Sequence, residues 1–335
     1  MQLAQLKKII NFYGRCAASF SQIGFVARGL PWRSFDADFS EQLWLVTGAS
    51  GGIGSEIVAA AARRGARVCA VARNRQKLEA MRATLSAEAD RVEPFIVDLS
   101  LQRDVSRLLG ELAAAGKRVD VLVNCVGVLL DEFSLNSEGR ETSFATNLLN
   151  QDLLTEGLVR GRGFANRGLV INISSGGMYN VPLSTKMLHV LDPQQYNGTA
   201  AYGFAKRAQL ALSALWEKNH ASSGVHSYVM HPGWVDTDGV RRSLPRFRRI
   251  LKSVLRKEPA GADTVIWLAA TRPAVPLEDH VWFDRKSRPA HIFAHTRTSA
   301  DSPASLAAWL EDELAKFPDA LPWAVTETVP RTAWQ

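Results

Sequence analysis

Two side chains in the second half of the chain have the types and the spacing needed for proton transfer. Tyr202 and Lys206 lie four residues apart in residues 201–218, a segment that predicts a helix, so the two share one helix face. A nearby ammonium group favours the phenolate, which predicts a tyrosine pKa below its ordinary value of ~10. A tyrosine tuned in this way can give a proton to the oxygen of a reacting carbon, or take one from it.

A third candidate is a serine hydroxyl at the end of a strand. Ser175 follows residues 169–173, a predicted buried strand, and so lies at the carboxyl edge where open α/β sheets bind ligands. Its hydroxyl can hold a substrate oxygen and stabilise charge that develops there. Taken singly, a Tyr–Lys helix pair is also typical of a solvated face, and a serine at a strand end is typical of a cap. The combination favours catalysis.

A glycine-rich turn near the start of the chain predicts binding of an anionic group. It joins a predicted strand, residues 43–47, to a predicted helix, residues 53–64, so backbone N–H groups and a helix N-terminus face a pyrophosphate. Gly48 permits the tight turn, Gly52 lets the backbone approach the phosphates and Gly54 lets helix and strand pack closely. A structural strand-to-helix turn is the alternative, but this position favours a dinucleotide site. The turn runs Thr47, Gly48, Ala49, Ser50, Gly51, Gly52, Ile53, Gly54.

The elements that must position these groups alternate along the chain. Short apolar runs predict buried strands, and helix-length segments separate them. Repeated strand, helix, strand units predict an α/β fold: a three-layer, doubly wound Rossmann-type domain with a mainly parallel seven-stranded sheet. The predicted strands are residues 43–47, 67–71, 92–97, 119–124, 169–173, 225–230 and 281–284, and the predicted helices are residues 53–64, 75–85, 105–115, 143–159 and 201–218.

Taken together, the motifs resemble the short-chain dehydrogenase/reductase family over about residues 42–286. Besides the glycine turn and the Tyr–Lys pair, they are Asp98-Leu99, Asn124-Cys125-Val126-Gly127, Asn147, Ser175 and Pro232-Gly233. The resemblance implies an oxidoreductase that interconverts a carbonyl and an alcohol, with Ser175, Tyr202, Lys206 and Asn147 as its catalytic tetrad. Ser175, the second serine of the pair, is implied rather than Ser174. Asn147 would hold a water that links Lys206 to solvent.

The same resemblance implies how a dinucleotide cofactor is held. Lys206 would hold the ribose, Asp98 would face the adenine, and the loop of Pro232, Gly233 and Thr237 would border the nicotinamide. The implied cofactor-binding residues are Thr47, Gly48, Ser50, Gly51, Gly52, Ile53, Gly54, Arg73, Asp98, Leu99, Asn124, Gly127, Pro232, Gly233 and Thr237.

Two features depart from the family's common pattern. Asn-Cys-Val-Gly replaces Asn-Asn-Ala-Gly at residues 124–127, which leaves Asn124 and Gly127 in place. Ser175 and Tyr202 are 27 residues apart, far more than is usual in the family, so the extra residues are predicted to loop out over the pocket. Some members of the family share such an insert, which argues against loss of the site.

The end of the second strand indicates which cofactor is preferred. A carboxylate at this place would bind the adenosine ribose hydroxyls and favour NAD(H). Residues 71–75 carry none, and Arg73 can instead form a charge-assisted contact with a 2′-phosphate. A solvent-facing arginine is the alternative, but the pattern predicts that NADP(H) is favoured over NAD(H).

Composition narrows the class of protein. The 335 residues are 46% hydrophobic and 22% charged, which is ordinary globular usage, and the net charge is +7. Three separated cysteines exclude a disulfide framework and predict a reducing compartment. No apolar run reaches the ~20 residues of a membrane span, and the first 20 residues lack the apolar core of a cleaved signal. We expect a cytoplasmic protein, with peripheral membrane association as an added prediction.

The chain divides into three predicted parts. Residues 1–40 form a basic amphipathic N-terminal extension, residues 41–286 the catalytic domain and residues 287–335 a tail with a short helix near residues 306–317. Within the catalytic domain, residues 176–198 are the insert and residues 238–259 a lid over the pocket. Residues 240–257 hold eight basic side chains and no acidic one, with apolar residues at helical spacing. The basic and amphipathic sequence of this lid predicts contact with an anionic membrane or a lipid-like substrate. A basic helix that is only solvated is the alternative.

Other functions have less support. His291 and His295 have a metal-binding spacing but no evident third ligand, so no metal is predicted. No hydrolase elbow, P-loop or nucleic-acid motif is present. A cofactor-binding module without turnover, acting as a redox sensor or scaffold, remains an alternative, and a sugar-nucleotide epimerase fits the glycine spacing poorly.

Family members often pair through the helices that carry Asn147 and Tyr202, so a homodimer is a further prediction, alongside a small-molecule carbonyl or alcohol substrate.

Overall fold

The computed structural model describes residues 18–275 and 279–317. Its strands are β1 Leu43–Thr47, β2 Arg67–Ala72, β3 Val92–Ile96, β4 Val119–Asn124, β5 Phe164–Ile173, β6 His226–Met230, β7 His280–Phe283 and β8 Lys286–Pro289. They form one sheet in the order β3-β2-β1-β4-β5-β6-β7-β8, in which every neighbouring pair is parallel except β7 and β8. This order confirms the predicted doubly wound Rossmann-type fold.

The sheet has one strand more than the seven predicted. β8 is antiparallel to β7, and the tight turn between them places both Asp284 and Arg285 at positive φ, +49° and +56°. Such turns usually carry Asn-Gly or Asp-Gly, and β8 itself is polar and contains a proline. Neither the strand nor its turn therefore has a recognisable sequence pattern.

Helices cover both faces of the sheet, which is why β1 is buried along its whole length. Along β1, Leu43 and Leu45 pack on one face, and Trp44 and Val46 on the other. The helices are α1 Gln22–Gly29, α2 Gly52–Ala62, α3 Arg75–Ala83, α4 Gln102–Ala114, α5 Asn150–Arg160, α6 Gly198–His220, α7 Asp238–Ser243, α8 Pro245–Leu251, α9 Glu258–Thr271 and α10 Pro303–Ala315. The first face of the sheet carries α4, α5, α6 and α10, and the second carries α2, α3 and α9.

One helix is less regular than predicted. The segment expected as a single helix over residues 143–159 begins with a short turn, Thr142–Phe144, continues as a π-helix, Ala145–Leu149, and only then becomes α5. π-Helical insertions are uncommon and are frequent at functional sites. This insertion contains Asn147.

The extra segments pack on the domain instead of projecting from it. In the insert, His189 stacks on Phe144, at 4.7 Å between ring centroids, and lies 3.5 Å from Glu313 of α10. The tail helix predicted at residues 306–317 is found as α10, whose Leu306 and Leu310 are buried in the core. Most of the extension's predicted helical face, residues 3–13, lies outside the described residues. In the part of the chain that is described, no helix is both long and apolar enough to cross a membrane.

Candidate active site

Four loops meet at the carboxyl edge of the sheet. The turn after β1 lies beside β2, where Ala49 N–H donates to Val71 O at 3.1 Å, and the loop after β3 does likewise, where Val97 N–H donates to Ala72 O at 3.1 Å. A Cβ built on Gly48 would lie 3.1 Å from the backbone of Val126, in the loop after β4. The glycine turn, Arg73, Asp98 and Gly127 are therefore neighbours, as parallel strands require.

The glycine turn tolerates no larger residue at its critical positions. Gly48 and Gly52 have φ of +70° and +57°, and a Cβ on Gly54 would lie 2.2 Å from the carbonyl oxygen of Gly48. A Cβ on Gly51 would meet no atom within 4 Å, and no side chain caps the start of α2. The turn thus offers open space, uncapped N–H groups and a helix N-terminus, which fit the phosphates of a dinucleotide.

Several predicted cofactor residues are buried and hold this edge together. Thr47 Oγ1 accepts hydrogen bonds from the N–H groups of Cys125 and Val126, at 3.0 and 3.2 Å. Asn124 is fully buried, and its amide donates to Thr155 and Asn172. Two more predicted residues have structural contacts: Leu99 O accepts from the Asn150 amide, and Asp98 Oδ1 accepts from the Ser100 N–H. Ile53 packs close to Gly261 of α9.

Arg73 has a different environment. Its side chain is exposed at the end of β2, and residues 71–75 place no carboxylate near it in the sequence. A guanidinium at this place can meet a phosphate on the adenosine ribose.

Three of the four predicted catalytic side chains converge on one glycine. A Cβ on Gly127 would lie 3.7 Å from Lys206 Nζ, 3.7 Å from Tyr202 Cε2 and 3.8 Å from Asn147 Oδ1. Gly127 itself is exposed, so the small volume that these groups share opens to solvent. The lack of a side chain at position 127 keeps the volume free.

Lys206 is buried and firmly held. Its ammonium donates to Ile173 O at 2.8 Å and to Gln209 Oε1 at 3.0 Å, and lies 5.7 Å from the Tyr202 ring centroid. Burial lowers the pKa of Lys206 from 10.5 to about 8. The group is therefore mostly charged at neutral pH and loses its proton in mildly alkaline solution.

The pKa of Tyr202 shifts in the direction opposite to the one predicted. Burial raises it above its ordinary value, and the hydrogen bond with Ser175 offsets only part of that effect. The prediction of a lowered value was wrong because four-residue spacing shows the charge of Lys206 but not the desolvation of the phenol. At neutral pH, Tyr202 keeps its proton and can donate it.

The long insert leaves Ser175 beside Tyr202 because two glycines allow the backbones to touch. A Cβ on Gly177 would lie 3.2 Å from Gly203 Cα, and a Cβ on Gly203 would lie 3.3 Å from Gly177 O. Ser175 is half-buried, whereas Ser174 is buried and its hydroxyl contacts Met178 and Lys206 O. Of the two serines, Ser175 is the accessible one.

Asn147 anchors the loop that follows Gly127. Its Oδ1 accepts from Val128 N–H at 2.8 Å, and its Nδ2 donates to Val128 O at 2.7 Å and to Ser143 Oγ at 2.9 Å. The water relay through Asn147 stays a prediction, because the side-chain amide is engaged in these contacts.

Gln209 and Gln151 belong to the site although the sequence did not reveal them. Gln209 accepts from Lys206 and donates to Gln151 Oε1, and the Gln151 amide donates to the carbonyls of Val126 and Thr146. Both glutamines are buried. The signal for Gln209 was a polar residue on the buried face of α6, three positions after Lys206, whereas Gln151 lies on α5.

The loop after β6 reaches the glycine turn. A Cβ on Gly52 would lie 3.2 Å from Thr237 Cγ2, and Thr237 caps the first lid helix, α7. Gly233 has φ of +78°, and Pro232 O accepts from the Arg256 guanidinium at 3.1 Å. Pro232, Gly233 and Thr237, which were predicted near the nicotinamide, thus lie in the segment between β6 and the lid.

The histidine pair does not form a metal site with other ligands. His291 contacts Asp279 and Thr296, and His295 contacts the carbonyl of Asn180. Over residues 18–275 and 279–317, no group of three or more His, Cys, Asp or Glu side chains is arranged to hold a metal ion.

Comparison with known proteins identifies the family of this chain. The family model described as short chain dehydrogenase matches residues 42–186. Dehydrogenase/reductase SDR family member 12 from Bos taurus is 36% identical over 82% of this chain and 86% of its own, and the Homo sapiens protein is 34% identical over 78% and 82%. Retinol dehydrogenase 12 from Mus musculus is 29% identical over 72% of this chain and 77% of its own.

Solved structures share the fold. The crystal structure of a protein from Mycobacterium paratuberculosis matches with a TM-score of 0.66 and 23% identity, over 85% of this chain and 97% of its own. The Pseudomonas aeruginosa RhlG/NADP active-site complex matches with a TM-score of 0.58 and 24% identity, over 71% and 93%.

Proposed function

Because this chain belongs to the short-chain dehydrogenase/reductase family of oxidoreductases, we propose that it interconverts a carbonyl, in a ketone or aldehyde, and an alcohol, with NADP(H) as cofactor. The observation that carries this proposal is the convergence of Tyr202, Lys206 and Asn147 on the exposed Gly127, with Ser175 next to Tyr202. A cofactor-binding module without turnover would not need these four groups together.

Each catalytic side chain has a role that its environment supports. The chemistry that a bound nicotinamide supplies is hydride transfer to or from the reacting carbon. In reduction, Tyr202 donates its proton to the substrate oxygen, and the Ser175 hydroxyl donates a hydrogen bond to the same oxygen. The Lys206 ammonium stabilises the resulting phenolate and holds the ribose, and solvent returns the proton to Tyr202. The carbonyl thereby gains a hydride and a proton and becomes an alcohol.

The cofactor preference rests on Arg73. It is exposed at the carboxyl end of β2, where a carboxylate would favour NAD(H), and its guanidinium can pair with a 2′-phosphate. The open, uncapped start of α2 beside Gly51 supports phosphate binding at the same edge of the sheet.

An apolar wall supports a hydrophobic substrate. Val128, Leu129 and Leu130 follow Gly127 and are half-buried. Asn147 holds Val128 from one side, and Ser243 of α7 donates to Leu129 O at 2.7 Å from the other. The wall therefore runs from the catalytic groups to the lid. Retinol dehydrogenase 12, to which this chain is similar, is named for an apolar alcohol of this kind.

The remaining proposals concern assembly and place in the cell. We propose a protein of the cytoplasm that also associates peripherally with membranes. A homodimer through the helices that carry Asn147 and Tyr202 stays a prediction, and α10 already packs against both. Trp309 of α10 lies 5.3 Å from the Phe144 ring, and Arg160 of α5 pairs with Glu311.

The proposal is tested by titrating the protein with NADPH and NADH, followed by turnover assays with apolar aldehydes, retinaldehyde and the matching alcohols. We expect NADPH to bind at least tenfold more tightly, about 1.4 kcal/mol, and to be oxidised in the presence of an apolar carbonyl. Tight binding of NADPH without turnover in either direction would favour the non-catalytic module. Failure to bind either dinucleotide would contradict the proposal.

A further inference from the structure

The first described helix exposes an apolar face that no other described part of the chain covers. Ile23, Val26, Ala27 and Leu30 follow one another at helical spacing in and just after α1, and all four are exposed. The three large side chains are 66%, 53% and 81% exposed. An uninterrupted exposed apolar stripe is unusual for a protein surface that faces only water.

The N-terminal end of α1 is fixed to the end of the lid. Gln22 N–H donates to Val254 O at 2.9 Å, and Gln22 Oε1 accepts from Lys257 N–H at 3.3 Å. Just before α1, Phe20 O accepts from the Arg256 guanidinium at 2.9 Å. The two segments therefore present one joint surface, and we call α1 together with residues 240–257 the α1–lid surface.

The lid half of this surface carries unpaired positive charge. Of its eight basic residues, Arg256 is buried on Asp284, and Arg241 and Arg248 pair with Asp236. The other five, which are exposed, form no ion pair within the described chain: Arg242, Arg246, Arg249, Lys252 and Lys257. Ile250 of α8 is 77% exposed between them. The same helix turns Phe247 inward, where it packs edge-on against Trp234.

We propose that the α1–lid surface docks on an anionic lipid membrane, with the apolar stripe of α1 and Ile250 entering the headgroup region. An anionic membrane is the favoured partner because the five unpaired basic side chains surround an apolar centre and complement a negatively charged lipid surface. Ser243 of α7 contacts the apolar wall at Leu129, so docking would bring the pocket's rim close to the lipid. The inference concerns binding alone and stands whether or not the proposed activity is found.

The test is sedimentation of the full chain with vesicles of phosphatidylcholine, alone or mixed with phosphatidylserine. We expect binding to the mixed vesicles only, weakened by added salt. Val26→Asp, and separately the double variant Arg246→Glu with Arg249→Glu, should each weaken vesicle binding at least about tenfold. Arg63→Glu changes an exposed arginine at the far end of α2 and is the matched control, which should bind like the wild type.

Three outcomes would overturn the proposal. The first is equal binding to phosphatidylcholine and mixed vesicles, or to neither. The second is undiminished binding by the Val26 and lid variants, with circular dichroism showing that they are folded. The third is sedimentation of the wild type as a dimer that Val26→Asp dissociates, which would assign the apolar stripe to a second copy of the chain.

Discussion

The ammonium of Lys206 donates to Gln209 Oε1 at 3.0 Å, one turn further along α6, and both side chains are buried. Gln209 continues this contact to Gln151, which binds the carbonyl of Val126 in the loop before Gly127. A buried chain of polar side chains thus connects the Lys206 ammonium to the loop that follows β4. Fully satisfied networks of this kind fix side-chain positions.

The pH dependence of catalysis should follow Lys206. Burial brings its pKa to about 8, so the ammonium that stabilises the Tyr202 phenolate is lost above that value. We expect kcat/KM for carbonyl reduction to be level below pH 8 and to fall about tenfold for each further pH unit. A profile that stays level to pH 10 would contradict this role.

Unfolding at alkaline pH would not explain the predicted fall in kcat/KM. Because the folded pKa of Lys206 is lower than its unfolded value near 10.4, the unfolded chain binds more protons between these two pH values. This group therefore favours the folded state as the pH rises through the window. Circular dichroism across the same range is the control.

Gln209 should set the alkaline limit of activity, which is the pH at which kcat/KM begins to fall. Gln209→Leu removes an acceptor from the ammonium, which costs the charged form a hydrogen bond of about 1.5–3 kcal/mol, so the limit should move to lower pH by about one unit or more. Gln209→Glu adds a negative charge and should move it to higher pH. The measurement is the pH profile of kcat/KM for both variants. Equal loss of rate in both, with no displacement of the limit, would leave Gln209 only a packing role.

Arg73 should decide between the two dinucleotides. Arg73→Gln is expected to weaken NADPH binding at least about tenfold and to leave NADH binding unchanged, because only NADPH carries the 2′-phosphate. The control is Arg63→Gln, which removes an exposed arginine at the opposite end of α2. Fluorescence titration measures both. Parallel loss of NADPH and NADH affinity would show that Arg73 does not recognise the phosphate.

Removing the charge of Asp284 should cost far more stability than removing the charge of an exposed residue. It is buried, accepts two hydrogen bonds from Arg256 at 2.7 and 2.9 Å, and accepts another from Arg28 at 2.7 Å. Asp284→Asn leaves the buried Arg256 guanidinium uncompensated and should lower the free energy of unfolding by about 3–5 kcal/mol. Glu111→Gln, in an exposed pair with Arg107, should cost less than about 1 kcal/mol. Urea denaturation compares them, and similar losses in both would refute the assignment.

The fold could be predicted because its strands and its glycine turn are each recognisable from a short stretch of sequence. Most of the strands contain short apolar runs, and the turn from Thr47 to Gly54 places its glycines where positive φ and close backbone approach require them. β8 was missed because its turn uses Asp284 and Arg285 at positive φ where glycine or asparagine is usual.

The contacts that the sequence did not reveal join distant positions or depend on burial. Arg256 was counted among the charges of the lid, yet it is buried on Asp284 and reaches the N-terminal segment at Phe20. The Tyr202 pKa was predicted in the wrong direction because spacing shows a nearby charge but not the solvent that folding removes. The touching backbones of Gly177 and Gly203, which keep Ser175 in place despite the insert, likewise exist only in the folded chain.

The most direct test of the central claim compares Tyr202→Phe with the wild type. The change removes one hydroxyl and keeps the ring, so the cofactor edge of the sheet is left intact. The measurement is the rate of NADPH oxidation with the best apolar carbonyl substrate, together with the NADPH dissociation constant. We predict a loss of kcat of at least about a thousandfold with NADPH affinity unchanged. Turnover within about tenfold of the wild type would contradict the assignment of Tyr202 as the proton donor.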